Sequence, residues 1–294
     1  MQIKANGISL EVEDHGSPQG EPLVLIMGLG MQLVAWPEGF VTSLVARGFR
    51  VIRFDNRDIG LSQSFAQLGV PRVGLAMLKH AFGFTVRSPY SLADMADDTA
   101  GMLDALGIQS ANVCGASMGG MIAQHLAARH SSRVKSLTLM MTSSGARRLP
   151  PPTLKVRAAL VSRAPDISDM KALVAHYARI YRLIGSPGYP APQDELNMRL
   201  EASMRRSFRP ASVARQLLAI AADGDRSALL RQISRPTQII HGRDDPLVPV
   251  AAGQDLATKI AGAQIDVIDG MGHDLPVELW PRFVDGIRAA AARA

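Results

Sequence analysis

The chain is poor in cysteine: 294 residues hold one, Cys114. A lone thiol forms no intramolecular disulfide, and a Cys-rich zinc site is excluded with it. Aromatic residues make up 5%, and lysine and arginine never run to five in succession. Both absences weigh against nucleic acid, which is gripped by basic grooves interleaved with stacking rings. Long apolar runs are missing too. The longest, Leu23 to Met31, contains glycines and is about half the roughly 20 residues a membrane span needs. The opening Met1-Gln2-Ile3-Lys4-Ala5-Asn6-Gly7 lacks a basic-then-apolar signal pattern, so a cytoplasmic protein is the expectation.

What is present is ordinary for a globular chain: 47% hydrophobic and 20% charged residues. A chain of this length buries roughly three quarters of its unfolded surface and needs no metal or disulfide staple. The net charge is +6. The excess is regional: residues 144–225 hold about 13 lysines and arginines against about 7 acidic residues, among them Arg147, Arg148, Lys155, Arg157, Arg205, Arg206 and Arg209. It reads as a solvated helical face, not a nucleic-acid footprint.

No internal repeat or low-complexity tract appears. The first 142 residues alternate strand and helix signals. Ile8 to Glu13 alternates apolar and polar, as an edge hairpin strand does. Leu23 to Met27 is continuously apolar, which suits a strand buried on both faces. Trp36 to Ala46 reads as a helix and Arg50 to Asp55 as the next strand. Ser91, with Asp94 three residues on, caps a strong helix that Gly107 ends. Ala111 to Cys114 is a strand, Met118 to His130 a helix, and Val134 to Met141 a strand. This alternation predicts an α/β fold, a mostly parallel twisted sheet with helices on both faces. From about Ser144 to Ala222 the strand signal stops. Helical patterns cover Lys171 to Leu183, Asp194 to Arg206 and Ala211 to Ala221, punctuated by prolines. Strands resume at Thr237 to Ile240 and Gln264 to Ile268, and a last helix covers Pro276 to Ala290. The expected organisation is a core of residues 1–143 and 223–294 with a helical insertion at 144–222.

The stretch Val113-Cys114-Gly115-Ala116-Ser117-Met118-Gly119-Gly120 holds G-x-S-x-G between a strand and a helix. A serine at such a turn sits in strained backbone, so side chains two positions away must be nearly absent, and Gly115 and Gly119 supply that room. The turn lifts the Ser117 hydroxyl above the sheet and aims the Met118 amide at the same point. A serine hydroxyl needs a base to take its proton. Seven histidines compete: His15, His80, His125, His130, His176, His241 and His273. His125 and His130 lie on helical patterns and read as surface or packing residues. His273 follows the last strand in a Gly-rich loop, at the end of the sheet where open α/β folds place ligands. For the carboxylate, Gly242-Arg243-Asp244-Asp245-Pro246 offers two candidates. Asp245 is the choice for orienting His273; Asp244 reads as an acidic turn that pairs with an arginine or faces water. A second oxyanion donor is expected from Met27-Gly28-Leu29-Gly30, at the Leu29 amide, with Gly28 beside the substrate. Trp36 either lines the pocket or packs between helix and sheet. Cys114 reads as a small buried hydrophobe, and the 14 methionines chiefly as core filling.

Over nearly its whole length the chain resembles the α/β-hydrolase superfamily. Gly115 to Gly119 is similar to the nucleophile elbow, Gly242 to Asp245 to the G-x-x-D acid loop, and Gly272-His273 to the histidine loop, in the superfamily's order Ser, Asp, His. Asp55 to Ser62 is similar to D-x-R-G-x-G-x-S, with Asp58 replacing the usual first glycine. Met27 replaces the histidine of the common H-G oxyanion motif. Met27-Gly28-Leu29, Trp36-Pro37 and Met271 to Pro276 resemble the carboxylesterase group that includes aclacinomycin methylesterase. The resemblance makes 144–222 a helical cap. It implies ester hydrolysis through an acyl-enzyme by Ser117, His273 and Asp245, on a small-molecule substrate, with no metal or organic cofactor required. The same residues would serve a lactone, a thioester, a vinylogous C–C bond or cofactor-free perhydrolysis. A non-catalytic ligand receptor on this fold is the alternative of a different class. The apolar segment Val70 to Pro89 (Leu75, Ala76, Met77, Leu78, Ala81, Phe82, Phe84) reads equally as a lid flap or a short helix packed on the cap.

Overall fold

The computed structural model describes residues 1–294 except 75, 77 and 79–83. Its strands are β1 (Gln2–Ala5), β2 (Ile8–His15), β3 (Glu21–Ile26), β4 (Phe49–Phe54), β5 (Ala111–Ala116), β6 (Val134–Met140), β7 (Thr237–Gly242) and β8 (Gln264–Ile268). They form one sheet in the order β1-β2-β4-β3-β5-β6-β7-β8. The pairs β1–β2 and β2–β4 are antiparallel, and every other pair is parallel.

The central strand β3 shows why the apolar runs become parallel strands. Leu23 to Ile26 are all 0% exposed. Leu23 and Leu25 enter one hydrophobic cluster and Val24 and Ile26 the other, as a period of two dictates. Each such side chain contributes about 1.5–3 kcal/mol when fully buried. Helices α1 (Glu38–Val45) and, near the C-terminus, α10 (Trp280–Ala291) pack on one face. Helices α2 (Leu92–Ala105) and α3 (Met118–Arg129) pack on the other. The expected capping box is present at α2: the Asp94 amide donates to Ser91 Oγ at 3.0 Å and the Ser91 amide to Asp94 Oδ2 at 2.8 Å.

Between β6 and β7 lie α4 (Leu154–Leu160), α5 (Met170–Ile184), α6 (Gln193–Arg206), α7 (Pro210–Asp223) and α8 (Ser227–Leu230). Leu173, Val174 and Ala178 of α5 and Leu196, Leu200 and Met204 of α6 form a separate small core. Helix α9 (Ala251–Lys259) precedes β8. β1, α4, α8 and α9 were not expected. β1 is a four-residue edge strand, α8 is one turn, α4 is short and follows three prolines, and Ala/Gly-rich α9 has little apolar stripe. The last helix starts later than Pro276, after a 3₁₀ turn at Val277–Leu279.

In the 70–89 segment, Val86 and Ala76 pack against Leu218 and Ala221 of α7, while Leu78 and Phe84 are exposed. Leu75, Met77, Ala81 and Phe82, with His80, lie outside the described residues. Among the described residues no helix is long and apolar enough to cross a membrane.

Candidate active site

β5 delivers Ser117 in a conformation that few residues tolerate, φ 54° and ψ −119°. The neighbours force glycine on either side. A Cβ on Gly115 would lie 2.3 Å from the Gly119 carbonyl oxygen, and one on Gly119 would lie 2.0 Å from that of Ile26. The turn is held by the Ser117 amide, which donates to the Met140 carbonyl at 2.9 Å, and by the Thr142 hydroxyl, which donates to the Ser117 carbonyl at 2.6 Å.

The structure brings Ser117, His273 and Asp245 together from three separate loops. Ser117 Oγ is 3.0 Å from His273 Nε2, and His273 Nδ1 is 2.7 Å from Asp245 Oδ2. The Asp245 side chain is fully buried and that of His273 is 8% exposed. The other Asp245 oxygen accepts from the Leu247 and Val248 amides at 2.9 and 2.7 Å. With Oδ1 so occupied, Oδ2 is left to take the Nδ1 proton of His273. That tautomer leaves Nε2 free to accept from Ser117.

His241 supports the acid loop from beneath. It is fully buried, and its Nε2 donates to the Val248 carbonyl at 2.7 Å. Burial pulls its pKa below the usual histidine value. Asp244 is exposed and accepts from the Gly270 amide at 2.8 Å, while Arg243 pairs with Asp269. Asp244 thus ties the histidine loop to the acid loop and does not pair with Arg243. His125 and His130 are held by Asp223 and Asp97 at 2.8 and 2.7 Å.

The loop Met27 to Gly30, the expected source of an oxyanion donor, follows β3. A Cβ on Gly28 would stand 3.1 Å from Ser117 Cβ, which puts this backbone against the serine. Met118 is the first residue of α3. Among the described residues neither the Leu29 nor the Met118 amide donates to a protein acceptor. The Met27 carbonyl accepts from Asn56 Nδ2 at 2.9 Å, which fixes the loop's entry. Trp36 is fully buried and stacks on Phe40 with ring centroids 5.8 Å apart. Of the two roles left open for Trp36, this burial fits packing inside the core and not the pocket wall. Cys114 is buried, and burial pushes its thiol pKa up.

Several polar residues around the site carry no expected role from the sequence, although Asp55 and Asp58 stand in the segment similar to D-x-R-G-x-G-x-S. Asp55 is fully buried and accepts from the Leu33 and Leu61 amides and from Arg206 of α6, at 2.7, 2.8 and 2.7 Å. Asp58 takes a positive φ of 74°, as the glycine it replaces would, and is fully buried. It pairs with buried Arg215 of α7, Nε to Oδ2 at 2.6 Å, and accepts from Ser212 Oγ and the Tyr90 hydroxyl at 2.9 and 3.0 Å. Burial works to raise the Asp58 carboxyl, yet the hydrogen bonds from Arg215, the Phe65 amide and Ser212 hold it below the usual value. The histidine loop is stitched to the end of α5: the His273 amide donates to the Ile184 carbonyl at 2.7 Å, and Ser186 Oγ donates to Asp274. Burial raises the Asp274 carboxyl. For the helix side of these pairs a signal was available: polar Arg215 and Gln216 interrupt the apolar run of α7.

This sheet, elbow and loop order define the class, and residues 21–278 match the α/β-hydrolase fold family. The chain belongs to that family and is a hydrolase. It is 28% identical to the rhodomycin D methylesterase DauP of Streptomyces sp. (strain C5), over 94% of this chain and 92% of that protein. It is 30% identical to the 2-hydroxymuconate semialdehyde hydrolase of Pseudomonas sp. (strain CF600), over 96% of this chain and 90% of the other. Among solved structures, the esterase RhEst1 from Rhodococcus sp. ECU1013 superposes with a TM-score of 0.75 at 23% identity, covering 99% of this chain and 97% of that one, a likeness of fold.

Proposed function

We propose that this hydrolase cleaves carboxylic esters of small molecules by acyl transfer, with Ser117 as nucleophile, His273 as general base and Asp245 as its orienting acid. The observation that carries the reading is the unbroken chain Asp245–His273–Ser117 at 2.7 and 3.0 Å. Ser117 Oγ attacks the ester carbonyl carbon and passes its proton to His273 Nε2. The Leu29 and Met118 amides bind the oxyanion, each worth roughly 3–4 kcal/mol in the transition state. The imidazolium protonates the departing alcohol. Water, deprotonated by His273, then attacks the acyl-enzyme and releases the acid. Residues 144–222 serve as a cap that shapes the pocket. The similarity to a methylesterase supports the ester assignment.

A second reading has its own support. The semialdehyde hydrolase relative points to C–C cleavage of a vinylogous diketone by the same three residues. A panel of p-nitrophenyl and methyl esters, lactones and dienol diketones separates the two. Ester turnover that Ser117→Ala lowers by about three orders of magnitude or more, together with labelling of Ser117 by a fluorophosphonate, is the expected outcome. Diketone cleavage without turnover of any ester would overturn it.

A further inference from the structure

One side chain of the insertion reaches the oxyanion loop. Gln216 of α7 is fully buried. Its Oε1 accepts from the Gly30 amide at 2.9 Å, and its Nε2 donates to the Arg57 carbonyl at 3.1 Å. It therefore spans two core loops, and both of its partners are backbone. The contact is close-packed as well: a Cβ on Gly30 would lie 3.0 Å from Val213 Cγ2.

The helix carrying Gln216 is held in register by an ion pair. Ser212, Arg215 and Gln216 share one face through spacings of three and four residues. Arg215 places Nε on Asp58 Oδ2 at 2.6 Å and Nη2 on Oδ1 at 3.0 Å, and its Nη1 donates to the Gly69 carbonyl at 2.6 Å. A slip of α7 by one residue, about 1.5 Å, would break all of these bonds. The register is therefore set at Asp58.

We infer that Gln216 is a positioning residue for the reaction: it sets the orientation of the loop that carries the Leu29 amide, and the Asp58–Arg215 pair fixes the helix from which it acts. The Gly30 N–H belongs to the peptide plane that follows Leu29. Anchoring that plane restrains the chain immediately after Leu29, and with it the orientation open to the preceding plane, which carries the Leu29 N–H. An oxyanion donor acts only when preorganised. The inference rests on the acyl-transfer reading with Leu29 as an oxyanion donor.

The test compares Gln216→Met, which keeps length and loses both hydrogen bonds, with Gln216→Glu, which keeps an acceptor for the Gly30 amide. On p-nitrophenyl butyrate, Gln216→Met is expected to lower kcat about 10–100-fold, with KM within about twofold and the pH midpoint of kcat unchanged. Gln216→Glu is expected to recover about fivefold or more of that loss, a rescue that a merely structural role would not give. A kcat within about twofold of wild type in Gln216→Met, or equal losses in both variants with KM rising in parallel, would overturn the inference. If Gln216→Met does not fold, Gln216→Asn, too short to span both loops, replaces it with the same expectations. A structure of the wild-type enzyme phosphonylated at Ser117 separates the two levels. A phosphoryl oxygen on the Leu29 and Met118 amides, beside unchanged Gln216→Met kinetics, sinks this inference alone. An oxygen bound elsewhere sinks it together with the oxyanion assignment.

Discussion

Asp245→Asn tests the proposed orienting role of Asp245 with almost no change in shape. Asp245 Oδ1 accepts two backbone amides, from Leu247 and Val248, and Oδ2 faces His273 Nδ1. An asparagine here has one orientation open to it. Turning its NH₂ toward the two amides would leave three buried donors facing one another, at about 1–3 kcal/mol for each unsatisfied group. The side-chain oxygen therefore stays on the amides, and the NH₂ points at His273. Nδ1 must then accept, the ring proton moves to Nε2, and Nε2 no longer takes the Ser117 proton. The same inversion of tautomer in a serine protease costs about 10⁴ in kcat, or about 5.5 kcal/mol at 1.36 kcal/mol per factor of ten. Steady-state hydrolysis of a p-nitrophenyl ester at pH 7.5 should fall by that order, with KM little changed and the thermal midpoint close to wild type. A loss of less than about tenfold in a folded variant would show that His273 does not depend on Asp245 for its tautomer, and the proposed roles would have to be reassigned.

Other consequences are more structural. Arg215→Leu leaves the Asp58 carboxylate buried without its cation and should cost about 3–5 kcal/mol in urea unfolding. In Asp58→Gly/Arg215→Leu much of that cost should be recovered, and additive single effects would refute the pairing. Gly119→Ala drives a Cβ to 2.0 Å from the Ile26 carbonyl oxygen and should exceed the usual overpacking cost of about 1–3 kcal/mol. Gly107→Ala, with nothing within 4 Å of its Cβ but φ at 67°, should cost only about 1–2 kcal/mol, and equal urea midpoints for the two would contradict the elbow packing. His241 supplies a pH test. Its folded pKa lies below the unfolded value of about 6.5, so the unfolded chain binds the extra proton. Stability is full above that pH and falls as pH drops below it, at up to about 1.4 kcal/mol per pH unit. A buried neutral replacement, His241→Gln, should flatten this slope between pH 6.5 and 5, and an unchanged slope would remove His241 as its source.

The parts of the fold that are local in sequence were legible. The apolar run of β3, the Ser91–Asp94 capping box and the glycines around Ser117 each carry their reason within a few residues. The three loops of the site were legible because each follows a strand at the same end of the sheet. Pairings between the insertion and the core were not. Asp58 and Arg215 are 157 positions apart, and Asp55 and Arg206 are 151. No periodicity links such residues, and an arginine on a helix reads as a solvated charge until the partner is seen. Part of the regional positive charge thus turns inward to meet buried aspartates. Trp36 was ambiguous for a related reason: a large apolar ring after a functional loop fits a pocket wall and a core equally well. Its fully buried stack on Phe40 assigns it to the core.

The segment between β6 and β7 is hydrogen-bonded to several loops around the candidate site. Gln216 holds Gly30 in the loop after β3, Arg206 and Arg215 hold Asp55 and Asp58, and the His273 amide is bound by the Ile184 carbonyl at the end of α5. A segment attached only at its two ends could change freely with substrate while the core chemistry stayed constant. Here the loop carrying His273 is hydrogen-bonded to the end of α5, and the loop of Leu29 and Gly30 to α7. If these helices form the proposed cap, a substitution that shifts them is expected to shift His273 or Leu29 as well. Two relatives at 28% and 30% identity are named for different reactions, a methylesterase and a semialdehyde hydrolase. Under the proposed function, such a difference on one shared fold could lie in the segment between β6 and β7 in two ways at once, through what its helices offer the substrate and through how tightly they hold the loops of His273 and Leu29.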